Sequence, residues 1–160
     1  MLRGARQQET TASGKRLWNV VVFSIGGMKL AARTEDIGGV TPWGERIPVP
    51  SRTPYVDSLL KRDKEVLPVY DLASQLGSEI DETARLCLVA RHQDGPMAIC
   101  IDGQVPSMQT LDALEVKPAV EGDVETLGSF ESEGEDIAII ALQRLGEAQS
   151  AHPHESVKGT

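Results

Sequence analysis

Short apolar segments with a period of two, set apart by turn residues roughly every 8–12 positions, dominate the chain. Asn19–Ile25 (NVVVFSI) is rich in β-branched residues and puts Val21, Phe23 and Ile25 on one face. Gly26-Gly27 follows, and then Met28–Arg33, where Met28, Leu30 and Ala32 alternate. Two extended runs joined by Gly-Gly predict a two-residue hairpin, because glycine takes positive φ without steric cost. A second hairpin is predicted in 47–72 (IPVPSRTPYVDSLLKRDKEVLPVYDL). There Tyr55–Leu60 and Glu65–Tyr70 flank the polar Lys61, Arg62, Asp63 and Lys64, and Pro48, Pro50 and Pro54 space the approach. Ala84–Arg91 and Met97–Val105 flank a turn at His92–Pro96. Val124–Phe130 reads as a strand, Glu131–Asp136 as a turn and Ile137–Leu142 as a buried strand.

Helical signals are brief. Thr34 is placed to cap a turn containing Glu35 and Asp36, ended by Gly38-Gly39. Asp71 is placed to cap LASQL, with Gly77 as the glycine beyond its end and Leu72 and Leu76 facing the core. About eight to ten short strands with so little helix predict a mainly β protein, a sandwich or a pair of small barrels. The strand–helix–strand rhythm predicts two similar units over roughly 17–80 and 84–146. Residues 1–16 and 147–160 lack periodicity and are expected to be disordered tails.

Composition narrows the function. A chain of 160 residues with 40% hydrophobic content supports a core without metals or disulfides. A net charge of −8 repels nucleic acid, and 4% aromatic residues leave few platforms for base stacking. The charge is concentrated: 112–136 carries nine carboxylates against Lys117 alone, which by itself equals the net charge of the chain. EF-hand spacing is absent there, so the stretch reads as a solvated acidic face. Cys87 and Cys100 belong to no CxxC motif and sit in apolar runs. They read as buried thiols or, alternatively, as a disulfide between neighbouring strands. Neither a secretory signal nor an apolar run of membrane-spanning length is visible, so a cytoplasmic location is expected.

Candidate chemistry is sparse. The sequence lacks GxSxG and Walker A motifs, and of its three histidines only His92 lies outside the C-terminal tail. His92 reads as a solvated turn residue, Asp71 as a cap and Asp102 as a strand-end residue. Trp43, in TPWGER, is either an exposed partner anchor or a side chain packed beneath its loop. The expectation is a binding or adaptor protein, with no enzyme activity, cofactor or metal.

The stretch Phe23–Leu72 resembles the CheW family of chemosensory coupling proteins. The resemblance rests on Pro50, on Thr53-Pro54-Tyr55-Val56 and above all on EVLPVYDL at 65–72. ARLCLVARHQDGPMAICIDGQV and GSFESEGEDIAIIALQRL extend it over about 19–145. It implies two small five-stranded SH3-like barrels with short helices and a groove between them, and no catalysis. It also implies partners: the cytoplasmic domain of a chemoreceptor and a CheA-type histidine kinase, whose regulatory domain shares the fold. By position, the resemblance assigns the partner-facing patch to Ile37, Val40, Ser58, Leu60, Asp63 and Lys64. Three departures stand out. Ser58 replaces a family glycine, Asp63-Lys64 replaces Arg-Gly, and Gly39 replaces the acidic residue that pairs with that arginine. Loss of both ends of an ion pair reads as a rebuilt surface. The alternative is therefore a scaffold serving a pilus or twitching pathway, or one bound to a localisation or regulatory partner.

Overall fold

A computed structural model describes residues 16–62 and 64–146. The described residues form eleven strands: β1 (Leu17–Ile25), β2 (Met28–Arg33), β3 (Ile37–Pro42), β4 (Glu45–Pro48), β5 (Val56–Arg62), β6 (Glu65–Tyr70), β7 (Arg85–His92), β8 (Gly95–Asp102), β9 (Ser107–Asp112), β10 (Thr126–Ser132) and β11 (Glu135–Ile140). A single α-helix, α1 (Leu72–Gln75), follows β6, and short 3-10 turns occupy Thr34–Asp36, Ala113–Glu115 and Leu142–Arg144. The fold is mainly β, as the sequence predicts.

The strands lie in two sheets, ordered β10-β11-β2-β1-β9 and β3-β7-β8-β6-β5-β4. The division does not fall at residues 80–84. The six-stranded sheet is built from the middle of the chain, and the five-stranded sheet takes two strands from before it and three from after it. The two sheets nevertheless repeat one plan. Read from β10, the first runs antiparallel, parallel, antiparallel, antiparallel; read from β5, the second does the same through β6, β8, β7 and β3. Even the register shift between Val56 and Ser58 on β5 recurs between Thr126 and Gly128 on β10. The first sheet thus encloses the second along the chain while sharing its strand plan, and β4 is an added edge strand.

Three apolar clusters explain why the central strands are apolar on both faces. Val20, Val22, Ala31, Leu111, Phe130, Ile137 and Ile139 fill the first barrel. Leu60, Leu67, Val69, Cys87 and Ala98 fill the second. A larger cluster, including Phe23, Ile25, Leu30, Tyr70, Leu88, Ile99, Ile101 and Ile140, joins the two. Alternation divides each strand between clusters: Ile137 and Ile139 face one barrel, while Ala138 and Ile140 face the joint.

Polar ties hold the joint. The β1–β2 turn has Gly26 and Gly27 at φ 60° and 86°. Their N–H groups donate to the two carboxylate oxygens of Asp102 on β8, at 2.9 and 2.8 Å. A side chain at Gly26 is excluded, since a Cβ there would lie 2.8 Å from that of Ser78. Asp71 caps α1 as expected, accepting from the Ser74 N–H at 3.1 Å, and Gly77 follows at φ 72°. Thr34 does not cap its turn. It lies inside it, and Arg33 occupies the cap position. Asp36 is buried there, accepting from the Arg33 guanidinium and from Gln143 Nε2 at 2.8 Å. Gly38-Gly39 lies within β3, where the register shifts between Ile37 and Gly39.

Candidate functional site

The β5–β6 hairpin forms as the sequence predicts, with β4 added along its outer edge. Ser58 and Leu60 point into the second barrel, along with Leu67 and Val69. The intervening residues point outward. Ile47, Leu59 and Pro68 therefore form one row across β4, β5 and β6, and Glu45, Lys61 and Val66 form the next. Ile47 is 39% and Val66 54% exposed. Beside this face lies an open cleft of about 650 Å³, with Val56, Val66, Pro68, Pro96, Met97 and Leu145 on its walls. An equivalent cleft of about 370 Å³ lies against β2 and β11 of the first sheet, lined by Met28, Leu30, Val120 and Ile140 among others.

The six residues assigned by resemblance do not form one surface. Leu60 is fully buried and belongs to the second barrel's core. Ser58 is buried as well, and its hydroxyl accepts from Arg46 Nε at 2.9 Å. Neither is exposed in the isolated chain. The reason is parity: in VDSLLKR the adjacent Leu59 and Leu60 occupy opposite faces, and Leu60 is the inner one. Ile37 is half-buried against the joint. Val40 is exposed on β3, which is the opposite edge strand of the sheet from β4. Lys64 is exposed at the β5–β6 turn, and Asp63 lies outside the described residues. Ile47, Leu59, Val66 and Pro68 are the outward-facing apolar residues here, and the resemblance assigns none of them to the patch. Their signal was the same parity, since Leu67 and Val69 turned inward leave Val66 and Pro68 outward.

His92 is not a solvated turn residue. Its Nε2 lies 2.9 Å from the Leu145 carbonyl, and its Nδ1 accepts from the Asp94 N–H at 3.1 Å. The ring therefore ties the β7–β8 hairpin to the segment after β11, with Nε2 as the donor. Trp43 is half-buried against the second barrel's core, with the Arg85 guanidinium 5.5 Å from its ring centroid. It packs beneath its loop and is not an exposed anchor.

The buried titratable groups serve structure. Burial pushes the Tyr70 phenol up to about 12, and its hydroxyl donates to Gln75 Oε1 while Gln75 Nε2 donates to the Asp123 carbonyl. Both cysteines are free, and burial raises both thiols, Cys100 to about 11. Among the described residues, no group of three or more His, Cys, Asp or Glu side chains is placed to hold a metal ion. No helix among them is long and apolar enough to cross a membrane.

Comparison with known proteins gives a consistent picture. A family model described as the CheW-like domain matches residues 19–150. The crystal structure of the scaffolding protein TtCheW from Thermoanaerobacter tengcongensis superposes with a TM-score of 0.68 at 16% identity, covering 81% of this chain and 92% of that one. A search of curated proteins found no match.

Proposed function

The chain belongs to the CheW-like domain family, and on that premise we propose that it is a non-catalytic cytoplasmic adaptor coupling a chemoreceptor's cytoplasmic domain to a CheA-type histidine kinase. The observation that carries this reading is the placement of the EVLPVYDL strand. Its inner residues build the second barrel, and its outer residues Val66 and Pro68 edge the cleft, whose walls are apolar except at Arg52, Thr53, His92 and Asp94. A rigid β face with a few exposed apolar side chains suits a partner with a complementary apolar ridge. Both ring nitrogens of His92, the imidazole on the cleft wall, are engaged by the Leu145 carbonyl and the Asp94 N–H, which favours docking over catalysis.

The test is co-sedimentation of the full chain with a receptor cytoplasmic fragment and a CheA-type kinase from the same genome. Ternary assembly is expected, weakened at least tenfold by Val66→Glu or Ile47→Glu. Failure of the unaltered chain to bind either protein at micromolar concentration overturns the coupling reading.

A second reading is favoured by Gly39 and the Asp63-Lys64 turn, which lack the family ion pair. In it, the same scaffold serves a pilus or twitching pathway, or a localisation partner. Restoring the pair with Gly39→Glu and Asp63→Arg separates the two. A gain in affinity for a standard kinase or receptor supports a redirected surface, and unchanged affinity argues that the turn is outside the interface.

A further inference from the structure

Cys87 and Cys100 stand directly opposite each other on β7 and β8. The type of pair follows from the ladder. The hairpin turns on Gln93-Asp94, so His92 and Gly95 close it as a hydrogen-bonded pair. Pairs alternate from there. The next, Arg91 and Pro96, is non-bonded, as it must be because proline has no N–H. Counting on through Ala90–Met97, Val89–Ala98 and Leu88–Ile99 makes Cys87–Cys100 a non-bonded pair as well. Such pairs hold their Cα atoms about 4.5 Å apart with side chains on one face. A disulfide spans Cα separations of about 4.4–6.8 Å. Cys87 is fully buried in the second barrel's core, and Cys100 is half-buried, so one thiol is reachable and the other waits behind it.

We propose that Cys87 and Cys100 are a reversible redox pair, joined across the β7–β8 ladder by exchange with a low-molecular-weight disulfide of the glutathione class. The Cys100 thiolate attacks the small disulfide, forming a mixed disulfide and releasing one small thiol. Cys87 Sγ then attacks the Cys100 sulfur and expels the second. The two protein thiols lose two electrons and two protons, and one small disulfide becomes two thiols. Disulfides in the cytoplasm, the compartment proposed above, are typically transient and sensing. Burial raises both thiols, with Arg85 partly offsetting it at Cys100. Exchange is therefore slow at neutral pH and about tenfold faster per pH unit in the alkaline direction. The pair also has a structural reader. The Arg62 guanidinium, at the end of β5, neighbours the Cys87 thiol, which links the couple to the β5–β6 hairpin.

The test equilibrates the full chain with reduced and oxidised glutathione at graded ratios, then quenches in acid, unfolds, alkylates with iodoacetamide and reads the intact mass. The expected product is a monomer lacking two hydrogens and taking no alkyl group, reversed by excess reduced glutathione. It should form at an oxidised-to-reduced ratio at least tenfold lower in the folded chain than in urea. Cys87→Ala should stop at a single glutathione adduct on Cys100. A folded chain that stays doubly alkylated at every ratio overturns the proposal. So does one that accumulates two glutathiones or an intermolecular dimer, or one that oxidises no more readily than the unfolded chain.

Discussion

The adjacent residues Leu59 and Leu60 allow the assignment of inner and outer faces to be tested. Leu60 is fully buried among Leu67, Val69, Cys87 and Ala98. Truncation to alanine removes its packing and leaves a cavity in a small, closed barrel, at a cost of about 2–5 kcal/mol. Against a total stability of about 5–15 kcal/mol for a domain, that is a large share. At about 2–4 °C per kcal/mol for a chain of this size, the midpoint of thermal unfolding should fall by roughly 4–20 °C. Val66, half-exposed on the outer face of the next strand, is the control, and Val66→Ala should stay within about 0.5 kcal/mol. Circular dichroism melts and urea titrations of both variants measure this, and binding to a receptor fragment is measured below the lower midpoint. Leu60→Ala should bind normally while folded. If Leu60→Ala melts like the unaltered chain yet loses binding, the parity of β5 is the reverse of that described, and the docking face with it.

Three further outcomes follow from the joint between the barrels. Asp102→Ala removes two charge-assisted bonds to the β1–β2 turn; because water can replace them at this exposed turn, the expected cost is about 1–2 kcal/mol by urea unfolding, with Asp102→Asn intermediate. Gly26→Ala and Gly27→Ala both force alanine into positive φ, at about 1–3 kcal/mol, but only Gly26 also drives a Cβ into Ser78 and the Glu79 carbonyl. Gly26→Ala should therefore be the more damaging, and equal losses would refute the close approach. Tyr70 has a folded pKa of about 12 against an ordinary 10.0, so burial favours the neutral phenol. The stability tied to that preference is complete below about pH 10 and falls as pH rises through 12. Tyr70→Phe should flatten this alkaline slope in urea midpoints measured between pH 9 and pH 11, while leaving the Gln75 amide oxygen unsatisfied at about 1–3 kcal/mol.

Local chemistry made much of the fold legible. Gly26-Gly27 fixed the first hairpin, Asp71 and Gly77 bounded α1, and EVLPVYDL located both the second hairpin and the family. What stayed hidden depends on distant partners. Leu59-Leu60 offers two equivalent apolar residues, and only packing against β7 and β8 decides which one turns inward. Glu45–Pro48 reads as a proline-spaced loop, because an edge strand tolerates proline where a central one does not. His92 has an ordinary turn sequence, and its partner, the Leu145 carbonyl, lies 53 positions away. The enclosure of one sheet by the other along the chain has the same origin, since β2 and β11 meet only through a parallel pairing that no local pattern announces.

That pairing also orders assembly in time. Leu30 meets Ala138 and Ala31 meets Ile139, contacts spanning more than 100 positions. The second sheet pairs only strands between Ile37 and Asp102, and its own parallel contact joins Val69 to Ala98. On a ribosome, the second barrel can close while β10 and β11 are still unmade. β1 and β2 emerge first yet complete their sheet last, and their apolar outer residues must wait for the final strand. The nascent chain therefore carries an unfinished sheet edge until β11 is made, and the Asp102 clamp on the β1–β2 turn adds a polar tie that holds that edge against an already folded neighbour.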